Sequence, residues 1–208
     1  MARWQRAPDY GTHPHVARAL KQVGRDDVVI ATKTYAATAL GARRSVAKAL
    51  RELGVRAVDL FLLHAVDSLG ELTAKEPALE ALVRAREAGL VRAVGVSSHS
   101  RDVLSRLLSL PELDVTLVVV NSSGAWMKDA GPREMRAAIR DLYGSGRGVY
   151  GMKALGSGQV TGAQVPPALR WAFRFPYAHS ICVGMTSAEE LRTNVALWRA
   201  SRRRTTRV

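Results

Sequence analysis

Val58-Asp59-Leu60-Phe61-Leu62-Leu63-His64 decides the fold. From Leu60 to Leu63 the run is apolar on both faces of a strand, as expected where helices cover both sides of a parallel sheet. It follows Gly54, a good stop for the helical spacing of Val46, Leu50 and Leu53 over Ser45–Leu53. Working outward, further strands are predicted at Val28–Lys33, Val91–Val96, Val115–Val120, Gly148–Lys153 and Ser180–Val183. Helices are predicted at Pro77–Ala88, Arg101–Leu110, Pro132–Tyr143 and from Pro166 or Pro167 to Arg174. A last helix begins at Ser187, where Ser187 and Glu190 read as a capping box.

This alternation is an α/β pattern with six strands, each followed by a helix. A closed (β/α)8 TIM barrel needs eight strands and about 250 residues. An open doubly wound sheet is also compatible with the periodicity, but the Gly-x-Gly-x-x-Gly expected after its first strand is missing. Met1 to Arg6 (MARWQR) carries no β-branched run and is not expected to be a strand.

The chain has 208 residues, enough for one domain with a sizeable core. Hydrophobic residues make up 47%, and no apolar run approaches the roughly 20 residues that span a bilayer. The first residues lack a secretory apolar stretch and Cys182 is the single cysteine, so a cytoplasmic protein without disulfides is expected. The net charge is +13, but five arginines of that excess fall in residues 199–208. That stretch reads as a basic, disordered tail on a domain of residues 1–198. No aromatic-basic surface motif accompanies the charge, so nucleic-acid binding is not the expected function.

Polar residues mark the strand ends. Val29, Ala31 and Lys33 share one strand face, as do Leu60, Leu62 and His64, so Lys33 and His64 both close their strands on that face. The C-terminal ends of barrel strands are where catalytic groups collect. His13 and His15 have no third ligand near them, so no metal site is expected. Trp126, in the loop after Val115–Val120, is the candidate substrate wall, and Cys182 reads as a packing residue of an apolar strand.

Several stretches, taken in order, resemble the signatures of the aldo-keto reductases. They are Ala7-Pro8-Asp9-Tyr10-Gly11, Thr32-Lys33, Asp59 to His64 and Val94-Gly95-Val96-Ser97-Ser98. The series continues through Gly151 to Gly158, Ala168-Leu169-Arg170-Trp171, and Val183-Gly184-Met185-Thr186-Ser187 with Asn194. The resemblance implies an incomplete TIM barrel, lacking the first strand and most of the second. It implies hydride transfer from a nicotinamide to an aldehyde or ketone, with Tyr10 as proton donor and Lys33 and His64 as its partners.

By the same resemblance, Ser97, Ser98 and Asn121 hold the nicotinamide carboxamide and Met152 packs on the ring. The backbone of Leu155, Gly156 and Ser157 approaches the pyrophosphate. Gly184, Thr186, Ser187 and Asn194 surround the adenosine end. NADP(H) is the implied cofactor and NAD(H) the alternative, because Gly184 and Glu190 stand where relatives carry a basic 2′-phosphate clamp. Gln5 occupies the place of an expected aspartate. A relative that binds nucleotide or a protein partner without turnover is therefore the alternative function.

Overall fold

The computed structural model describes residues 2–5 and 11–202. Strands β1 (Ala2–Gln5), β2 (Val28–Thr34), β3 (Val58–Leu63), β4 (Val91–Ser98), β5 (Val115–Val119), β6 (Gly148–Met152) and β7 (Ser180–Ile181) follow in chain order. They form one parallel sheet in that same order, with no pairing between β7 and β1 among the described residues. The helices are α1 (His13–Val23), α2 (Ala39–Leu53), α3 (Leu69–Ala74), α4 (Glu76–Glu87), α5 (Arg101–Leu107), α6 (Pro132–Gly144), α7 (Val165–Phe173) and α8 (Ala188–Arg202). The architecture is an incomplete (β/α) barrel.

Two expectations change. Ala2–Gln5 is a strand, paired with β2 in the register Ala2↔Val28 to Gln5↔Ala31. Strand formation there comes from the ladder with β2 rather than from residue type, since context outweighs β propensity. The sheet therefore has seven strands rather than six. At the other end the last helix runs on to Arg202, with Ser201 buried and its hydroxyl donating to the Trp198 carbonyl at 2.7 Å. Residues 203–208 of the expected tail lie outside the described residues.

Strand alternation divides the core. Val28, Ile30, Phe61, Leu63, Val94, Val96 and Val118 face the helices and pack with Val46, Leu53, Leu82, Leu104 and Ile139. The opposite faces give a smaller inner cluster of Leu62, Val115, Leu117 and Tyr150. Lys33, His64, Ser97, Asn121 and Met152 share the strand parity of that inner set, so the sheet delivers them to one interior.

Local signals fix the helices around it. Thr38 caps α2 by accepting from the Gly41 amide, and α2 ends at Gly54 in a left-handed conformation (φ +66°). At the far end of the barrel, Asp59 is a buried carboxylate on the helix-facing side of β3. It accepts from the Ile30 amide (2.7 Å) and pairs with Arg25 (2.9 Å) and Arg92 (2.9 Å). Asp59→Ala would leave that amide without its acceptor and Arg25 with only the carbonyls of Val28 and Ala57. A loss of about 2–4 kcal/mol is expected in urea unfolding. An unchanged midpoint would show that Asp59 does not tie β2 to β3.

Candidate active site

Lys33 lies on the last turn of the β2 ladder, paired in register with Leu62, and is 7% exposed. Burial pulls its ammonium down to about 8, helped by Lys153 and opposed by Cys182. His64 follows β3, its amide donating to the Thr34 carbonyl at 2.8 Å and its own carbonyl accepting from Lys75 Nζ at 3.3 Å. Burial again dominates its titration, with Lys33, His99 and Lys75 adding to it, and the imidazole is pushed down to about 3. The pair is thus a buried ammonium beside an imidazole that stays neutral in ordinary buffers.

That depression carries a stability consequence with a definite sign. In the unfolded chain His64 binds a proton near 6.5, whereas the folded chain resists it until about 3. Stability is therefore lost as pH falls below 6.5, at up to about 1.4 kcal/mol per pH unit from this one group. Thermal unfolding at pH 7 and pH 4.5 should show a smaller drop in His64→Gln than in the unsubstituted chain. Equal drops would assign the acid sensitivity elsewhere.

Two loops are fastened beneath this pair. Ser97 Oγ accepts from the Ala65 amide at 2.8 Å and the Ser97 carbonyl from the Val66 amide at 2.9 Å, holding the left-handed Ala65 (φ +49°). Asp67 binds the His99 amide (2.8 Å), the His99 ring (3.0 Å) and Lys128 Nζ (3.0 Å). Burial alone would raise its carboxyl, but the hydrogen bonds from His99 and Lys128 outweigh it and hold the group well below the usual carboxylate range.

The residues expected at the cofactor divide into two groups. Asn121 Nδ2 donates to the carbonyls of Ala125 (2.9 Å) and Lys153 (3.2 Å), tying the loop after β5 to the loop after β6. Met152 ends β6, and Leu155, Gly156 and Ser157 form the turn beyond it, with Gly156 and Ser157 left-handed. Gly184, Thr186 and Asn194 line a separate cavity of about 660 Å3 beside β7 and α8, which reaches Val29, Ala31 and Tyr150 on the sheet interior. Ser187 caps α8 by accepting from the Glu190 amide at 3.1 Å. The Glu190 carboxylate accepts from the amide and hydroxyl of Thr186 (2.7 and 3.1 Å), and these bonds, with a smaller contribution from the Ser187 backbone, hold its carboxyl below the usual range.

Ser98, Trp126 and Cys182 are placed as follows. Ser98 turns away from the interior and its hydroxyl accepts from the Ser100 amide at 3.0 Å, as strand alternation requires once Ser97 faces inward. Trp126 is committed to the loop after β6, its indole N–H donating to the Gly156 carbonyl at 3.1 Å. Cys182 is half-buried, lines the cavity and lies within electrostatic reach of Lys33. Tyr10 lies outside the described residues.

The sequence reading passed over Tyr35, whose ring lies 4.3 Å from that of His64, and Lys153. Both directly follow or nearly follow a strand end, which was the available signal. His13 has a structural role. It is fully buried, linking Glu52 (2.9 Å) to Thr32 (3.0 Å) and so fastening α1 to α2 and β2.

Comparisons with known proteins identify the family. The sequence profile of the Aldo/keto reductase family matches residues 7–168, and the chain belongs to that family. An aldo-keto reductase of Mycolicibacterium paratuberculosis is 32% identical over 107 residues, covering 49% of this chain and 36% of the relative. A D-threo-aldose 1-dehydrogenase of Pseudomonas sp is 33% identical over 81 residues, covering 39% of this chain and 25% of the relative. These matches span between a quarter and little more than a third of the curated relatives' length. Among solved structures, an aldo-keto reductase from Pseudomonas aeruginosa superposes with TM-score 0.80 at 24% identity, over 97% of this chain and 78% of the other. One from Bacillus halodurans, in its holo form, superposes with TM-score 0.76 at 18% identity, over 95% and 76%.

Proposed function

We propose that this chain reduces an aldehyde or ketone to an alcohol with NAD(P)H, using Tyr10 as proton donor. The observation that carries the reading is the placement of Lys33 and His64 together, buried at the C-terminal ends of adjacent strands, one a cation and the other a neutral imidazole. A tyrosine hydroxyl titrates near ~10 and is a slow acid and a slower base at neutral pH. An ammonium beside it stabilises the phenolate and brings proton transfer into range. The neutral imidazole of His64 donates to the carbonyl oxygen and holds it for attack, strengthening as negative charge develops there.

The residues present suit a nicotinamide dinucleotide. Gly156, Ser157 and Gly158 are left-handed in succession (φ +57°, +61° and +94°), a conformation that can turn backbone amides toward one concavity. Met152 would lie under the ring, with Ser97 and Asn121 nearby on the same interior, and Gly184, Thr186, Ser187 and Asn194 at the adenosine end. When bound, the dihydronicotinamide supplies the hydride. NADP(H) and NAD(H) differ by the 2′-phosphate, and the ionised Glu190 opposes that extra charge. NADH is therefore expected to bind at least as tightly as NADPH, and Glu190→Gln to favour NADPH by a few-fold.

Gln5 favours a second reading, a relative that binds the nucleotide without turnover. Titration of the purified chain with NADPH and NADH, followed by cofactor fluorescence, and then a carbonyl-dependent loss of absorbance at the reduced nicotinamide band separate the two. Binding with turnover supports the reductase. Binding without turnover across aldehydes and ketones supports the silent relative, and no binding by a folded chain removes both.

A further inference from the structure

Three arginines and two aromatic rings meet on the helical layer of the barrel, and none of them belongs to the candidate active site. Arg136 lies on α6, Arg170 and Trp171 lie on the last turn of α7, and Arg174 and Phe175 directly follow it. Together they line a groove of about 510 Å3. Arg170 and Arg174 are four residues apart, as are Trp171 and Phe175, so a basic stripe runs beside an aromatic one. The Arg136 guanidinium stands 5.3 Å from the centre of the Phe175 ring and 5.2 Å from that of Tyr177, and this double cation–π contact fixes a long side chain at the groove. Trp171 packs its ring 5.7 Å from that of Phe175 yet stays 37% exposed, a large apolar surface to leave in water.

No acid answers these guanidinium groups. Among the described residues no carboxylate lies within ion-pair distance of Arg136, Arg170 or Arg174. The sequence carries no aspartate or glutamate anywhere from Leu142 to Ala188. The dipole of α7 favours cations at its C-terminal end, which accounts for Arg170 and Arg174 but not for Arg136, contributed by another helix. Planar arginine forks match phosphate oxygens, and an exposed indole offers a stacking face beside them. On a chain of net charge +13 such a cluster also draws polyanions from a distance. Folding thus assembles from two helices the aromatic-basic surface that composition alone does not display.

We propose that the groove between α6 and α7 binds single-stranded nucleic acid, with one base stacked on Trp171 and the neighbouring phosphates held by Arg136, Arg170 and Arg174. Stacking on an aromatic face beside a track of cations serves any base, so the site takes ring and backbone rather than a particular sequence. An acidic peptide would meet the guanidinium groups but leave the indole face without a flat partner. This function is separate from carbonyl reduction and does not depend on it.

The test is a titration of the full chain, at low and moderate salt, with a fluorescein-labelled oligodeoxyadenylate of about 12 nucleotides, followed by anisotropy. Saturable, salt-sensitive binding is expected. The triple variant Arg136→Gln, Arg170→Gln, Arg174→Gln should bind at least about tenfold more weakly, with a slope of log affinity against log salt shallower by about 2. Arg43→Gln, Arg44→Gln, Arg51→Gln removes the same charge from exposed positions of α2 and should stay within about threefold. The unlabelled strand should quench tryptophan fluorescence in the unsubstituted chain and much less in Trp171→Phe. Trp171→Ala should lose about five- to a hundredfold in affinity. NADPH should leave strand binding unchanged.

Equal losses in the two triple variants overturn the proposal, because they assign binding to net charge. So does an affinity that survives the groove substitutions but disappears on removal of residues 203–208. Displacement of the strand by NADPH moves binding to the proposed cofactor site and likewise overturns it. Quenching undiminished in Trp171→Phe overturns the stacking. Oligoglutamate that displaces the strand at equal concentration of charge overturns the choice of occupant in favour of an acidic peptide. Failure of the unsubstituted chain to bind at low salt overturns the proposal outright.

Discussion

Gly95→Ala is expected to prevent the chain from folding. Gly95 sits in the middle of β4, in register with Leu62 on one side and Val115 on the other. A Cβ added there would stand 1.9 Å from the Val115 carbonyl oxygen and 2.8 Å from both the Val115 carbonyl carbon and Leu62 Cδ2. The leucine tip could rotate aside. The carbonyl cannot, because it belongs to the neighbouring strand and moving it opens the β4–β5 ladder. Overpacking a core commonly costs about 1–3 kcal/mol, and a clash with backbone belongs above that range, at about 4 kcal/mol or more. That approaches the whole stability of a small domain.

Gly144→Ala is the matching control. It adds the same methyl at the end of α6 with nothing within 4 Å, and should be neutral or slightly stabilising. Circular dichroism and urea unfolding of both variants decide the matter. A folded Gly95→Ala chain with an unshifted midpoint would mean that β4 and β5 are not packed as closely as described.

The legibility of the fold follows from how each element is stabilised. The strands β2 to β6 are buried on both faces, so their apolar runs stand out in the sequence, and Gly54 marks the end of α2. Strand β1 is invisible in the same way, because Ala-Arg-Trp-Gln has no strand-forming run and forms only against β2. Helix α1 was readable in principle. Val16 and Leu20 repeat at helical spacing after Pro14, but the third buried position is His13, and a polar residue breaks the apolar pattern.

The site divides similarly. Lys33 and His64 could be found because alternation and strand ends are local features. The fates of Trp126 and Ser98 could not: one depends on the Gly156 carbonyl, 30 residues away, and the other on which serine of a pair faces inward. Cys182 is half-buried rather than a packing residue of a strand, because the predicted Ser180–Val183 strand pairs over only Ser180 and Ile181, leaving the cysteine at the cavity wall.

Lys33→Met should lower turnover by orders of magnitude and, at the same time, make the protein more stable. The lysine's ordinary protonation midpoint of 10.5 is pulled to about 8 by burial, so at pH 7 the chain folds with a charge that its surroundings disfavour. Between those two values the unfolded chain binds more protons than the folded one, and stability rises with pH. Below about 8 that contribution is missing, a deficit of about 3 kcal/mol. Methionine keeps the unbranched stem and removes the charge, so most of that deficit should return as a higher urea midpoint at pH 7.

On the proposed reductase reading, catalysis moves the other way: without the Lys33 ammonium, proton transfer by Tyr10 is unassisted, and a loss of about 10²–10⁴ in the chemical step is expected. Tyr10→Phe should fall as far without the gain in stability. On the same reading, the activity of the unsubstituted chain is expected to decline as pH rises through about 8, where Lys33 loses its charge, whereas His64, neutral above about 3, adds no inflection near 6.5. Such opposition between stability and activity is the mark of a residue held in place for chemistry. Retained turnover in Lys33→Met would remove the lysine from the reaction. A loss of stability would mean that the charge is compensated in the folded chain and that burial is not what lowers its protonation midpoint.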